Sequence, residues 1–162
     1  MAVTASSEAI AVVGTACRFP GGIHGPDDLW SALTEGREAI GQVPADRFDA
    51  ARWLDEHRAR PGMTYSAAGG FLDDISGFDA GYFRLSPEEA DRTDPQQRLL
   101  LELAVEALDS AGIAGESLAG TDTAVYAGAS SQAFAFLQGL EGPSATAHTA
   151  AGGAASSVAA RI

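Results

Sequence analysis

One thiol, three imidazoles and the adjacent carboxylates Asp27-Asp28 and Asp73-Asp74 are side chains of this sequence with the right types for chemistry. Cys17 is the sole cysteine, which excludes an intramolecular disulfide and a multi-cysteine metal site. A thiol becomes a nucleophile when a cation or a helix start lowers its pKa, and Arg18 is a neighbouring cation. Yet Cys17 ends an apolar run and has no histidine close by in sequence, so it is expected to be a packed structural thiol. His24, His57 and His148 stand in turn-like or irregular stretches at spacings unlike a zinc motif, and are expected to be solvated loop residues. Asp27-Asp28 and Asp73-Asp74 have the composition of paired acids for proton transfer or magnesium binding. Adjacent carboxylates in a regular element point in different directions, so a helix start and a turn are the expected roles.

Two glycine-containing stretches call for the same weighing. Gly14-Thr-Ala-Cys-Arg-Phe-Pro-Gly-Gly22 joins an apolar run to a helix, but it lacks the Gly-x-Gly-x-x-Gly spacing. Pro20 also removes a backbone amide where a phosphate would be cradled. Gly128-Ala-Ser130-Ser-Gln is a partial nucleophile elbow without its last glycine, and no acid and histidine pair follows it convincingly. Neither a dinucleotide nor serine hydrolase chemistry is expected, and no residue is assigned to a metal.

The elements that must position any chemistry are marked by their caps. Ser86-Pro87 with Glu89, then Asp94-Pro95 with Gln97, predict two helices in tandem, each opened by a capping box and a proline, with a sharp bend between them. The second runs to Ala111 and is closed by Gly112; Leu100, Leu103 and Leu108 are expected among its least accessible side chains. Before the pair, residues 1–8 form a polar leader, and the unbroken apolar run at 9–16 predicts a strand covered on both faces. Pro26-Asp27-Asp28 opens a helix with Leu29, Trp30 and Leu33 that Gly36 closes, and residues 41–70 form an irregular connection with a helical turn near Trp53-Leu54. After the pair, residues 123–129 predict a strand and 131–137 a short helix. Residues 139–153 read as a surface loop or as backbone packed closely on a partner, and 156–162 as a helix without a stop signal, which points to a boundary inside a longer protein.

Composition narrows the function classes. The chain has 162 residues, no lysine and a formal net charge of −12, which removes the main electrostatic term for nucleic-acid and polyphosphate binding. No apolar run approaches the ~20 residues of a membrane span, and the start lacks the basic and apolar regions of a signal peptide. A reducing cytoplasm is the expected setting.

Several of these segments together resemble one enzyme family. Phe78-Asp79, Ser86-Pro87-Glu88-Glu89-Ala90 and Asp94-Pro95-Gln96-Gln97-Arg98-Leu99-Leu100-Leu101-Glu102 are similar to the ketosynthase domains of modular and iterative type I polyketide synthases. So are Ile10 to Gly22, Asp28-Leu29-Trp30, Gly36-Arg37, Gly69-Gly70-Phe71-Leu72, Ala124 to Gly128, and the helix from Ala154 to Ile162. The sequence departs from the family's common residues at Thr93 (often methionine), Val105 (often tryptophan) and Arg84-Leu85 (often Gly-Ile).

The resemblance implies an α/β, thiolase-like fold of which residues 9–162 are the N-terminal portion only, an incomplete part of an αβαβα layered architecture. It implies a parent acyltransferase of the beta-ketoacyl synthase type, which condenses a cysteine-bound acyl group with a malonyl-type extender on a phosphopantetheine carrier. The family's nucleophilic cysteine and both histidines fall beyond Ile162, so no catalytic or cofactor-binding residue is assigned here, and the 162-residue chain alone is expected to be inactive. Implied partners are the acyl carrier protein and acyltransferase domains of the synthase, with a homodimer for the complete ketosynthase. The rival from another class is a noncatalytic ketosynthase-like interaction or dimerisation module.

Overall fold

The computed structural model describes residues 9–55, 57, 60–130, 133–140, 147–154 and 156–162. Proline sets three of the helix starts, because its fixed φ suits the first helical position, where no amide donor is needed. Helix α1 (Pro26–Glu35) follows Gly25 and closes on Gly36, whose φ of 64° lies in the left-handed region that favours glycine. The chain then forms β1 (Gly41–Gln42), the single turn α2 (Ala50–Trp53) and β2 (Ala68–Gly69). The two short strands pair antiparallel, Gly41 with Gly69 and Gln42 with Ala68. The rings of Phe78 and Phe83 stack 5.0 Å apart beside the next helix start.

Helix α3 (Pro87–Arg92) opens where Ser86 Oγ accepts the Glu89 amide at 3.1 Å. It ends at Thr93, whose hydroxyl turns back to donate to the Glu89 carbonyl at 2.7 Å. Helix α4 (Pro95–Ser110) starts at once, with Asp94 Oδ1 accepting the Gln96 amide at 2.8 Å, and Gly112 at φ 67° takes the chain out of it. A 3-10 turn at Gly115–Leu118 precedes α5 (Ala133–Leu140), α6 (Ala147–Gly153) and α7 (Ser157–Arg161). Helix α6 packs against α3, α5 and α7, and α7 packs against α4.

Helix α4 is the axis of this assembly, yet its burial differs from the expectation. Leu101 is its buried leucine at 7% exposure, one turn after the buried Gln97, whereas Leu100, Leu103 and Leu108 are only half-buried. Several covers meet α4, and among the described residues none wraps it fully. Helix α7 packs on it, the loop at Leu72–Gly77 shares a groove with Pro95, Leu99 and Glu102, and Gly14 presses on its end at the Ala107 carbonyl and Ala111.

The two expected long strands do not form. Residues 9–16 and 123–129 have no ladder partner among the described residues, and a strand exists only through the hydrogen bonds of its neighbours. Their apolar side chains accordingly face outward: Ile10 and Tyr126 are each 94% exposed. Cys17 is half-buried instead of packed in a core, because the run that precedes it lacks the second covering layer. Part of the stretch expected as a loop is helical, namely α6; residues 141–146, like the leader 1–8 and the start of the expected 131–137 helix, lie outside the described residues.

Candidate functional site

The thiol, the imidazoles and the paired aspartates do not converge on one site among the described residues. The His24 amide donates to Asp28 Oδ2 at 3.0 Å, a helix-entry contact of the kind expected for Asp28. Asp74 Oδ1 accepts from the Ser76 amide and hydroxyl, both at 2.7 Å, and from the Gly77 amide at 3.2 Å, so it builds a turn as expected. These bonds, with that of the Ser76 hydroxyl first, hold the Asp74 carboxyl below its ordinary pKa. His57 is almost fully exposed beside Asp55, with Nδ1 at 3.1 Å from Oδ1. His148 departs from the expectation: it lies on α6, and its Nδ1 sits 3.9 Å from Glu89 Oε2. Among the described residues no hydrogen bond joins the Cys17 thiol to a histidine, and no group of three or more His, Cys, Asp or Glu is placed to hold a metal.

What the fold does bring together is a buried polar junction where α3, α4, α5, α6 and α7 meet. Thr93 is fully buried, and Asp94, Gln97 and Gln138 are nearly so. Burying polar groups is costly unless they find partners, and here the side-chain nitrogens of both glutamines reach backbone carbonyls of other elements. Gln97 Nε2 donates to the carbonyls of Gly152 at 2.9 Å and Ala154 at 3.2 Å. The Asp94 amide donates to the same Gly152 carbonyl at 3.0 Å. Gln138 Nε2 closes the end of α3 by donating to the Arg92 carbonyl at 3.1 Å.

A second tether crosses the outer side of the junction. Arg161 Nη1 donates to Glu89 Oε1 at 3.0 Å, joining the last residue of α7 to α3. Both partners are partly buried, which spares the pair much of the solvent screening that weakens surface ion pairs. Sequence spacing placed Glu89 and Gln97 as reciprocal capping-box residues of their own helices. The structure keeps the Ser86 and Asp94 caps but sends both third-position side chains to the chain 55 to 72 residues further on. A glutamate and a glutamine three residues after a cap carry no sign of that longer reach, so sequence reasoning missed it.

On the opposite side of α4 lies an open groove of about 230 Å³ lined by Leu72, Ile75, Pro95, Leu99, Arg98 and Glu102. Burial pushes the Glu102 carboxyl up from its ordinary pKa, Arg18 and Arg98 pull it back, and Glu106 adds to the rise. Arg18 forms an ion pair with Glu106 and donates to the His24 carbonyl at 2.6 Å, anchoring the N-terminal segment on α4. Such an arrangement can hold elements in register.

Known proteins share this framework. The family model for "Beta-ketoacyl synthase, N-terminal domain" matches residues 7–162. The spectinabilin polyketide synthase system protein NorC of Streptomyces orinoci is 50% identical over 134 residues, which are 82% of this chain and 6% of that protein. Erythronolide synthase EryA2 of Saccharopolyspora erythraea is 44% identical over 157 residues, 96% of this chain and 4% of that protein. An oxazolomycin ketosynthase domain of Streptomyces albus JA3453 has a similar structure, with a TM-score of 0.78 at 34% identity. That match covers 93% of this chain and 26% of the solved one, so the chain spans about a quarter of that ketosynthase.

Proposed function

The chain belongs to the beta-ketoacyl synthase family, with residues 7–162 in its N-terminal domain, and we propose that it forms the first part of a condensing enzyme in a type I polyketide synthase. Its fold is the N-terminal portion of the thiolase-like α/β architecture. The observation that carries the proposal is the structural match to a ketosynthase over nearly the whole chain. Close identity to polyketide synthases over most of the chain favours this function over a noncatalytic module.

In the proposed reaction a cysteine thiolate attacks the thioester carbonyl of a phosphopantetheine-linked acyl group and expels the carrier thiol. A malonyl-type extender on an acyl carrier protein then loses carbon dioxide, and the resulting carbanion attacks the acyl-cysteine carbonyl. The cysteine thiolate leaves, and the carrier holds a beta-ketoacyl thioester. Two histidines polarise the reacting carbonyls. We assign the cysteine and both histidines to sequence beyond Ile162, and to residues 1–162 the scaffold that positions them. Acyl carrier protein and acyltransferase domains are the proposed partners, a homodimer the proposed assembly, and the cytoplasm the proposed setting. With a net charge of −12, docking of an acidic carrier requires a local arginine cluster. No helix among the described residues is long and apolar enough to cross a bilayer.

The test is condensation by the complete ketosynthase that contains this chain. With an acyl thioester and a malonyl-loaded carrier, mass spectrometry should show beta-ketoacyl carrier and release of carbon dioxide. Acyl transfer without condensation, or no reaction, would contradict the proposal.

A further inference from the structure

We infer that Gln97 is a positioning residue for acyl transfer: its buried amide fixes the turn between α6 and α7, and through α7 the place from which the segment after Ile162 departs. The inference rests on the proposed function, in which that segment carries the nucleophile. Gln97 is 3% exposed, and its side-chain nitrogen bridges the Gly152 and Ala154 carbonyls on either side of the end of α6. Its side-chain oxygen is buried with no hydrogen-bond partner among the described residues. A glutamine kept in that state serves through its donors, since an apolar residue of similar volume would leave no orphan acceptor behind.

The surrounding contacts show what the donors hold. The Asp94 amide shares the Gly152 carbonyl with Gln97, and Gly152 itself leaves no room for a side chain against Arg92 and Thr93. Helix α7 is thus held at its entrance by Gln97 and at its exit by the Arg161–Glu89 pair. A five-residue helix pinned at both ends has little freedom to translate, so its last residue fixes the position and direction of the following chain. Transfer rates respond steeply to such placement, because a displacement of about 1 Å at a reacting group lowers the rate by about a hundredfold.

The experiment uses the complete ketosynthase containing this chain and compares Gln97→Leu, Gln97→Asn and the core control Leu101→Ala. Read out are acyl transfer from an N-acetylcysteamine thioester, the melting temperature, and amide exchange of residues 152–161. For Gln97→Leu the maximal transfer rate should fall by about tenfold or more with KM little changed, and the 152–161 amides should lose protection. Leu101→Ala, at an equal or larger loss of melting temperature, should keep most of its rate. Gln97→Asn retains the amide on a side chain one methylene shorter and should show a smaller fall in the same direction, which carries the test if the leucine variant does not fold. An unchanged rate in the Gln97 variants, unchanged exchange at 152–161, or equal slowing by Leu101→Ala at matched melting temperature would overturn the inference. A wild-type ketosynthase that takes up no acyl group would instead contradict the proposed function, and the exchange measurement would still decide whether Gln97 fastens the turn.

Discussion

Gly152 crosses the end of α3 so closely that a Cβ atom there would collide with the Arg92 carbonyl. The same crossing sets the Gly152 carbonyl 3.0 Å from the Asp94 amide. Glycine is therefore required here by proximity. Gly152→Ala is expected to cost about 1–3 kcal/mol, as overpacking does elsewhere, and to loosen α6 first. Urea unfolding should show a lower midpoint, and an unchanged midpoint would mean that α6 has another way to seat.

Leu101 and Leu103 separate two accounts of α4. Leu101 is buried while Leu103 is half-buried, so Leu101→Ala should cost about 2–5 kcal/mol and Leu103→Ala distinctly less. Equal losses would contradict the difference in burial between the two leucines.

Arg84 sits at φ 56°, where a side chain is strained and glycine is not. Relief of about 1–2 kcal/mol of left-handed strain exceeds the ~0.5–1 kcal/mol entropic penalty of glycine. Arg84→Gly should therefore raise the melting temperature slightly. A clear fall would assign Arg84 a stabilising contact that outweighs the strain.

Glu102 predicts a pH dependence. Its folded-state pKa is raised, mainly by burial, so the folded chain holds this proton more tightly than the unfolded chain. Stability from this group is present below its ordinary pKa and is lost as the pH rises through the raised value. Glu102→Gln should accordingly stabilise the protein at neutral pH, with the difference shrinking in acid below the ordinary carboxylate pKa. Melting curves across pH 3 to 7 would check the sign, and a difference that grows toward acid would contradict it.

The helix starts were legible in the sequence because capping chemistry is local: Ser86, Asp94 and the prolines after them act within one turn. Gly36 and Gly112 were legible for the same reason, since only a left-handed exit needs glycine there. The strands at 9–16 and 123–129 were misjudged because apolar runs report what a segment would bury, while pairing depends on partners elsewhere in the fold. The junction was illegible for a related reason. Glu89 and Gln97 satisfy a local template so well that nothing in their spacing points to Arg161 or Gly152.

The central claim is that residues 1–162 form a scaffold and that the acyl-accepting thiol lies beyond them. Intact-mass spectrometry after incubation with an acyl thioester tests this directly, on the 162-residue chain and on the complete ketosynthase side by side. The complete protein should gain the mass of one acyl group, while the 162-residue chain should gain none and keep Cys17 free. A stoichiometric thioester on Cys17 would contradict the account.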